Sequence, residues 1–245
     1  MYRKRIYDRL IAHTEKNVRG GFCMLQNSVK EIKAALFDMD GLLIDSEKVY
    51  RDCWIQAARE LGYAFDSEKA LSLRSLDKEL ANALFIQWFS DETAYERVKA
   101  RRKEIMAEKI RQVPLQRKPG VRSLIKELEK RGIKAAVVTA SPQKRAQMHL
   151  ESVGLGDLFE TIVTTETVKR GKPFPDVYLY AAKRMRVVPK DCLAFEDSPN
   201  GVKSAYEAGC HTVMIPDLTP PTADLMPYVE YTYDTLADLA KELQE

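Results

Sequence analysis

No apolar run in the 245 residues approaches the roughly 18 needed to cross a bilayer as a helix, so no membrane partner is expected. Cysteine is sparse. Cys23, Cys53, Cys192 and Cys210 stand far apart, with no CxxC pair and no zinc-finger spacing. This argues against a disulfide scaffold or a thiolate metal site and fits free thiols in a reducing cytoplasm. The three histidines, His13, His149 and His211, form no ligand spacing and take no role. The N-terminus lacks the continuous apolar stretch of a secretory signal. A basic surface is also missing: 39 Lys and Arg face 36 Asp and Glu, and residues 1–24 alone carry +4 of the +3 total. The other 221 residues sum to −1, too little for an extended nucleic-acid-binding face.

What is present is ordinary globular composition, 45% hydrophobic and 31% charged, in a chain long enough for one large domain or a core with an insert. Short apolar runs without alternation occur at Lys33–Asp38, Lys134–Thr139, Thr161–Thr164, Cys192–Glu196 and Thr212–Ile215, the pattern of strands buried on both faces. Helical patterns lie between them at Val121–Lys130, Gln143–Val153, Asp176–Met185 and Val202–Ala208, the last stopped by Gly209. Strands alternating with helices predict an α/β fold: a Rossmann-like parallel sheet with helices on both faces.

Residues 46–114 break the alternation. They hold three helical stretches and no convincing strand, and Val49, Cys53, Ala57 and Leu61 share one helix face. The expected organisation is a catalytic core of residues 25–45 and 115–245, a helical domain of residues 46–114 inserted after the first strand, and a basic extension of residues 1–24. The extension has two readings: a helix docked on the core, or a translated ribosome-binding site around Arg19-Gly20-Gly21, with Met24 as the natural start.

Ligands of open α/β sheets bind at the carboxyl ends of the strands. Here those ends read Asp38-Met39-Asp40-Gly41, Thr139-Ala140-Ser141 and Glu196-Asp197-Ser198, with Gly171-Lys172-Pro173 before the fourth strand. Converging carboxylates need an intervening cation, and an all-oxygen set suits Mg²⁺. Lys172 and Thr139 are placed to hold a phosphate from the other side, which is the charge neutralisation that phosphoryl transfer needs. Asp38, ionised at neutral pH, is the candidate nucleophile. Asp40, two residues on, is the candidate to protonate the leaving group and later to take a proton from water. Ser141-Pro142 predicts a helix start with Ser141 as N-cap and free N–H groups facing an anion.

These residues, in this order, resemble the haloacid dehalogenase superfamily. The four signatures read DMDGLLIDSE from Asp38, VVTAS ending at Ser141, GKPFPDVY from Gly171 and FEDSPNG from Phe195, across Ala34 to about Pro216. The resemblance implies Mg²⁺-dependent phosphohydrolysis through an aspartyl-phosphate. It implies a nucleophile at Asp38, general acid/base and carbonyl metal ligation at Asp40, phosphate contact at Thr139, charge neutralisation at Lys172, and metal ligation at Asp197 with Glu196 assisting. It also implies a small helical cap of the type found with β-phosphoglucomutase and with sugar-phosphate and nucleotide phosphatases, and a small phosphorylated metabolite as partner.

The second aspartate, Asp40, separates the chain from the family's metal-free dehalogenases and from its phosphonoacetaldehyde hydrolases. The cap-side histidine of β-phosphoglucomutase is Tyr50 here, and no glycine opens a specificity loop at Leu71–Ser75. Hydrolysis is therefore the expected outcome, with a phosphohexomutase and a non-catalytic phosphate-binding protein as alternatives. Arg74 stands where related caps contact substrate and could grip a second anionic group, or simply sit on the surface. The basic run Arg97, Lys99, Arg101, Arg102 and Lys103 is interleaved with Glu96, Glu104 and Glu108, so a solvated helix face is expected. Trp54 and Trp88 are expected to pack within the insert. A monomer is expected.

Overall fold

The computed structural model describes residues 31–244; both readings of the basic extension, and Cys23, lie outside them. Six strands form one parallel sheet: β1 (Ala34–Phe37), β2 (Lys134–Thr139), β3 (Thr161–Thr164), β4 (Cys192–Glu196), β5 (His211–Met214) and β6 (Tyr231–Thr232). Their order across the sheet is β3-β2-β1-β4-β5-β6. Successive side chains alternate between two cores, which is why the strands read as unbroken apolar runs. Ala34 and Leu36 face one layer with Tyr178 and Ala181 of α7 (Asp176–Met185) and Ala205 of α8 (Pro199–Glu207). Ala35 and Phe37 face the other with Leu124 and Leu128 of α5 (Val121–Lys130), Leu150 of α6 (Gln143–Ser152) and Leu239 of α9 (Leu236–Glu242). Phe37 stacks on Phe195 of the neighbouring strand at 4.5 Å between ring centres.

The α/β architecture matches the alternating pattern, with local shifts. β1 ends one residue before Asp38, whose N–H still donates to Phe195 O at 3.0 Å. β5 pairs over His211–Met214, not Thr212–Ile215. β6 has two residues, too few for any periodicity. α8 starts at Pro199, earlier than the apolar pattern suggests, because Ser198 caps it: the serine Oγ accepts from Gly201 N–H at 3.2 Å. Cys192 Sγ donates to Val188 O at 3.6 Å, and all three described cysteines are free.

Residues 46–114 hold four helices, not three: α1 (Glu47–Glu60), α2 (Ser67–Ser72), α3 (Lys78–Phe89) and α4 (Ala94–Gln112). At six residues, α2 is too short to announce itself; Asp66 caps it by accepting from Lys69 N–H, and Asp77 caps α3 through Glu79 N–H. Cys53 and Ala57 are fully buried on one face of α1, while Val49 and Leu61 pack at its margins. Trp54, Phe65, Phe85, Trp88 and Tyr95 form the aromatic centre of the insert, with Trp54–Phe85 at 5.9 Å and Phe85–Tyr95 at 5.4 Å. The basic run on α4 departs from expectation at one position. Arg101 points outward to Glu60 and Glu104, but Arg102 is only 6% exposed. Among the described residues, no helix is long and apolar enough to cross a membrane.

Candidate active site

From β1 the chain moves to β2 and β3 on one side, then crosses back to β4 on the other. The carboxyl ends of β1, β2 and β4 therefore flank the crevice where strand order reverses, the position at which open sheets bind ligands. Into it the fold brings Asp38 from the end of β1, Thr139 from β2, Glu196 and Asp197 from β4, and Lys172 from the segment between β3 and α7. All five are at most 1% exposed.

Lys172 Nζ donates to Asp38 Oδ1 at 2.5 Å, to Glu196 Oε1 at 2.6 Å and to Val138 O at 3.0 Å. Its three protons are thus fully used. Burial opposes its charge, but Asp38 and Glu196 outweigh that and hold its pKa above the ordinary lysine value. Burial also raises the Asp38 carboxyl; Glu196 and Asp197 add to the effect, and Lys172 works against it. Asp197 is pushed up to about 7 by burial, with Glu196 and Asp217 adding and Arg74 opposing. Among the described residues, Asp38 Oδ2 and Asp197 Oδ1 are buried without any hydrogen-bond partner. One oxygen from each of Asp38, Glu196 and Asp197 lies within 4.8 Å of the others. Orphaned carboxylate oxygens in a crowd of acids form the donor set that a hard divalent cation takes, so the residues fit such an ion.

Two glycines make room for these carboxylates. A Cβ at Gly41 would meet Asp197 Oδ2 at 2.1 Å, at a backbone φ of +89° that side chains rarely adopt. A Cβ at Gly201 would meet Glu196 Oε2 at 1.9 Å. The glycines of DMDG and SPNG are therefore explained by acids pressed against the backbone.

Asp40 is half-buried and held apart from the cluster by two hydroxyls: Ser46 Oγ donates to Oδ1 and Ser141 Oγ to Oδ2, each at 2.7 Å. Thr139 Oγ1 accepts from Ser141 N–H at 3.0 Å. Ser141 is not the N-cap of α6, since the helix begins at Gln143 with Pro142 as its capping residue. At that helix start, Gln143 N–H donates to Glu166 Oε2 at 2.8 Å. The serine hydroxyl is the one that donates to Asp40.

Arg74 lies in the turn after α2 and is 5% exposed, not a surface residue. Its guanidinium pairs with the Asp197 carboxylate, lies 3.3 Å from Glu47 Oε2 and donates to Thr219 Oγ1 at 2.8 Å. Asn200 Nδ2 donates to Arg74 O at 2.8 Å, and Asp77 joins the Lys172 segment by two bonds, its N–H to Lys172 O at 2.7 Å and its Oδ2 from Gly171 N–H at 2.6 Å. The insert is thus fastened to the crevice. Glu47, buried beside Arg74, escaped assignment from sequence although it closes the DMDGLLIDSE signature; burial raises its carboxyl, with Arg74 opposing. Above the cluster opens a cavity of about 490 Å³ between the crevice and the insert, within the usual range for small-molecule sites.

Residues 35–215 match the haloacid dehalogenase-like hydrolase pattern, spanning all four signatures. The chain belongs to that family. A phosphorylated carbohydrates phosphatase of Thermotoga maritima is 31% identical over 74% of this chain and 84% of its own length. Hexitol phosphatase A of Escherichia coli is 33% identical over 75% and 82%. A beta-phosphoglucomutase of Bacillus subtilis is 30% identical over 86% and 95%. Within the family, the chain is an enzyme of the phosphatase kind.

Proposed function

We propose that the enzyme hydrolyses phosphomonoesters of sugars and similar small metabolites with Mg²⁺ through an aspartyl-phosphate on Asp38. The observation that carries this reading is the pairing of Asp38 with Lys172 through one oxygen while the other oxygen has no partner, at the floor of a metabolite-sized cavity. In this reading the free Oδ2 attacks phosphorus and the ester oxygen leaves. Lys172 offsets the charge of the attacking carboxylate and the transferring group. Asp40, its carboxyl fixed by Ser46 and Ser141, protonates the departing alkoxide. It then takes a proton from the water that releases phosphate from Asp38. Thr139 and Ser141 orient the phosphoryl oxygens. Asp38, Glu196 and Asp197, with the Asp40 carbonyl, would hold Mg²⁺, which supplies electrostatic stabilisation of the equatorial oxygens.

Helices α1–α4 serve as the cap that covers the cavity, and the core comprises residues 25–45 and 115–245, of which 31–45 and 115–244 are described. The relatives named as acting on phosphorylated carbohydrates and hexitol phosphates support a sugar-phosphate class. A mutase is the second reading, because one relative bears that name. Tyr50 offers a phenol where a mutase-type cap carries an imidazole, which favours hydrolysis. The deciding experiment measures phosphate release from sugar phosphates and nucleotides with Mg²⁺ or chelator, together with product analysis on β-glucose 1-phosphate. Isomerised sugar phosphate without phosphate release would replace phosphatase by mutase.

A further inference from the structure

Two arginines, Arg102 and Arg145, also line the cavity. Arg102 reaches in from α4 with its guanidinium 5.1 Å from the Tyr50 ring centre and 4.7 Å from that of Trp54. It is 6% exposed, and among the described residues it forms no ion pair and no hydrogen bond; its Nε is buried without a partner. Arg145 of α6 approaches the same ring, 5.8 Å from its centre, and its Nε is also buried and unpartnered. The hydroxyl of Tyr50, whose ring both guanidiniums approach, is a third buried group with no hydrogen-bond partner among the described residues.

Two guanidiniums gathered around one ring repel each other. Burial is the main cause lowering the Arg102 pKa, and Arg145 adds to it; a guanidinium nevertheless stays charged. A buried, uncompensated cation is costly to maintain. The other buried cations of the site show the contrast: Lys172 lies between two carboxylates, and Arg74 between Asp197 and Glu47. Both line the cavity, Arg102 with none of its donors used among the described residues and Arg145 with its Nε unused, so the missing anion belongs to the occupant of that cavity.

We propose that Arg102 and Arg145, with the Tyr50 hydroxyl, form a second oxyanion subsite, and that the preferred substrates are small phosphomonoesters whose leaving group carries its own carboxylate or phosphate. This rests on the phosphatase reading given above. The side of the cavity follows from a short chain of bonds. Arg145 Nη2 donates to Ser141 Oγ at 3.0 Å, and Ser141 Oγ donates to Asp40 at 2.7 Å. Arg145 therefore lies beside the proposed acid, with Arg102 across the Tyr50 ring that both approach, which puts the subsite on the leaving-group side of the reacting phosphorus.

The test compares kcat/KM with Mg²⁺ for glucose 6-phosphate, whose leaving group is neutral, 3-phosphoglycerate, which adds a carboxylate, and fructose 1,6-bisphosphate, which adds a phosphate. The expected result is a preference of at least about tenfold for one of the two anionic substrates over glucose 6-phosphate. The preferred member tells whether the second group is carboxylate or phosphate. In Arg102→Met and Arg145→Met that preference should fall toward unity, chiefly through KM. Arg145 is half-buried on its helix, so its variant decides the matter should Arg102→Met fail to fold. Phosphate release without preference for either anionic substrate, or a preference unmoved in the folded variants, overturns the subsite and leaves the phosphatase reading standing. No phosphate release from any of the three by the wild-type enzyme overturns the phosphatase reading itself.

Discussion

Arg74 of the insert and Asp197 of the core, 123 positions apart, share a buried ion pair. Glu47 flanks the same guanidinium, so one cation satisfies two carboxylates in the crevice. Removing one partner of a buried pair typically costs about 3–5 kcal/mol, because the other charge remains uncompensated.

Arg74→Met should therefore lower the melting temperature in chelator while enlarging the rise that Mg²⁺ produces, since the cation then relieves a greater excess of negative charge. Thermal melts of both proteins in EDTA and in Mg²⁺ check this. An identical Mg²⁺-dependent rise in wild type and variant would sink it.

Asp38→Asn keeps the shape of the side chain but removes the proposed nucleophile. Turnover of phosphomonoesters should drop by at least about 10³-fold. Because the substitution also removes a carboxyl from a crowded acidic cluster, the fold should persist, as circular dichroism would show. Undiminished Mg²⁺-dependent phosphate release would rule Asp38 out.

Gly201 sits inside α8. Helix propensity alone would make alanine stabilising there, by somewhat under about 1 kcal/mol. The contact with Glu196 decides otherwise, since the new Cβ lands 1.9 Å from a buried carboxylate oxygen. Gly201→Ala is expected to destabilise by about 1–3 kcal/mol and to slow phosphate release, because Glu196 must move away from Lys172. Denaturant titration gives the sign directly, and a stabilised variant would refute the argument.

His211 Nδ1 and Glu230 Oε2 lie 2.8 Å apart beside β5. Hydrogen bonding to Glu230 raises the histidine, and His211 lowers Glu230 against the opposing effect of its burial. A raised histidine stabilises fully below its unfolded value near 6.5, and the contribution fades as pH rises through the folded value. A depressed glutamate acts from the other end, and its contribution is lost as pH falls below the usual carboxylate range. The pair should help most at about pH 5–6, by under roughly 1 kcal/mol, because both groups are partly exposed and solvent-screened. Melting of His211→Gln against wild type from pH 4 to 9 should show the largest gap in that window. A gap that widens toward pH 9 would contradict it.

The sheet was legible because a parallel strand covered on both sides must be apolar throughout, and Lys134–Thr139 and Cys192–Glu196 leave no other reading. β6 was not, since two residues carry no period. Convergence of Asp38, Thr139 and Asp197 followed from where their strands end, and Lys172 followed from its place in the ordered signatures between the third and fourth strands. What each side chain touches did not follow. Ser141 looked like a cap because serine before proline favours one, yet its hydroxyl finds a stronger acceptor in Asp40. Arg102 looked solvated because charged neighbours surround it in sequence; the turn of α4 that carries it faces aromatic rings and the cavity. Such partners depend on three-dimensional packing between distant segments, and single-chain periodicity contains no record of it.

The two bonds between Asp77 and the Lys172 segment make the insert its own reporter. Any excursion that lifts α3 from the crevice must break Asp77 N–H to Lys172 O and Gly171 N–H to Asp77 Oδ2 together. The deuterium uptake of these two amides then counts how often the insert parts from the crevice, with no substrate, product or turnover in the tube.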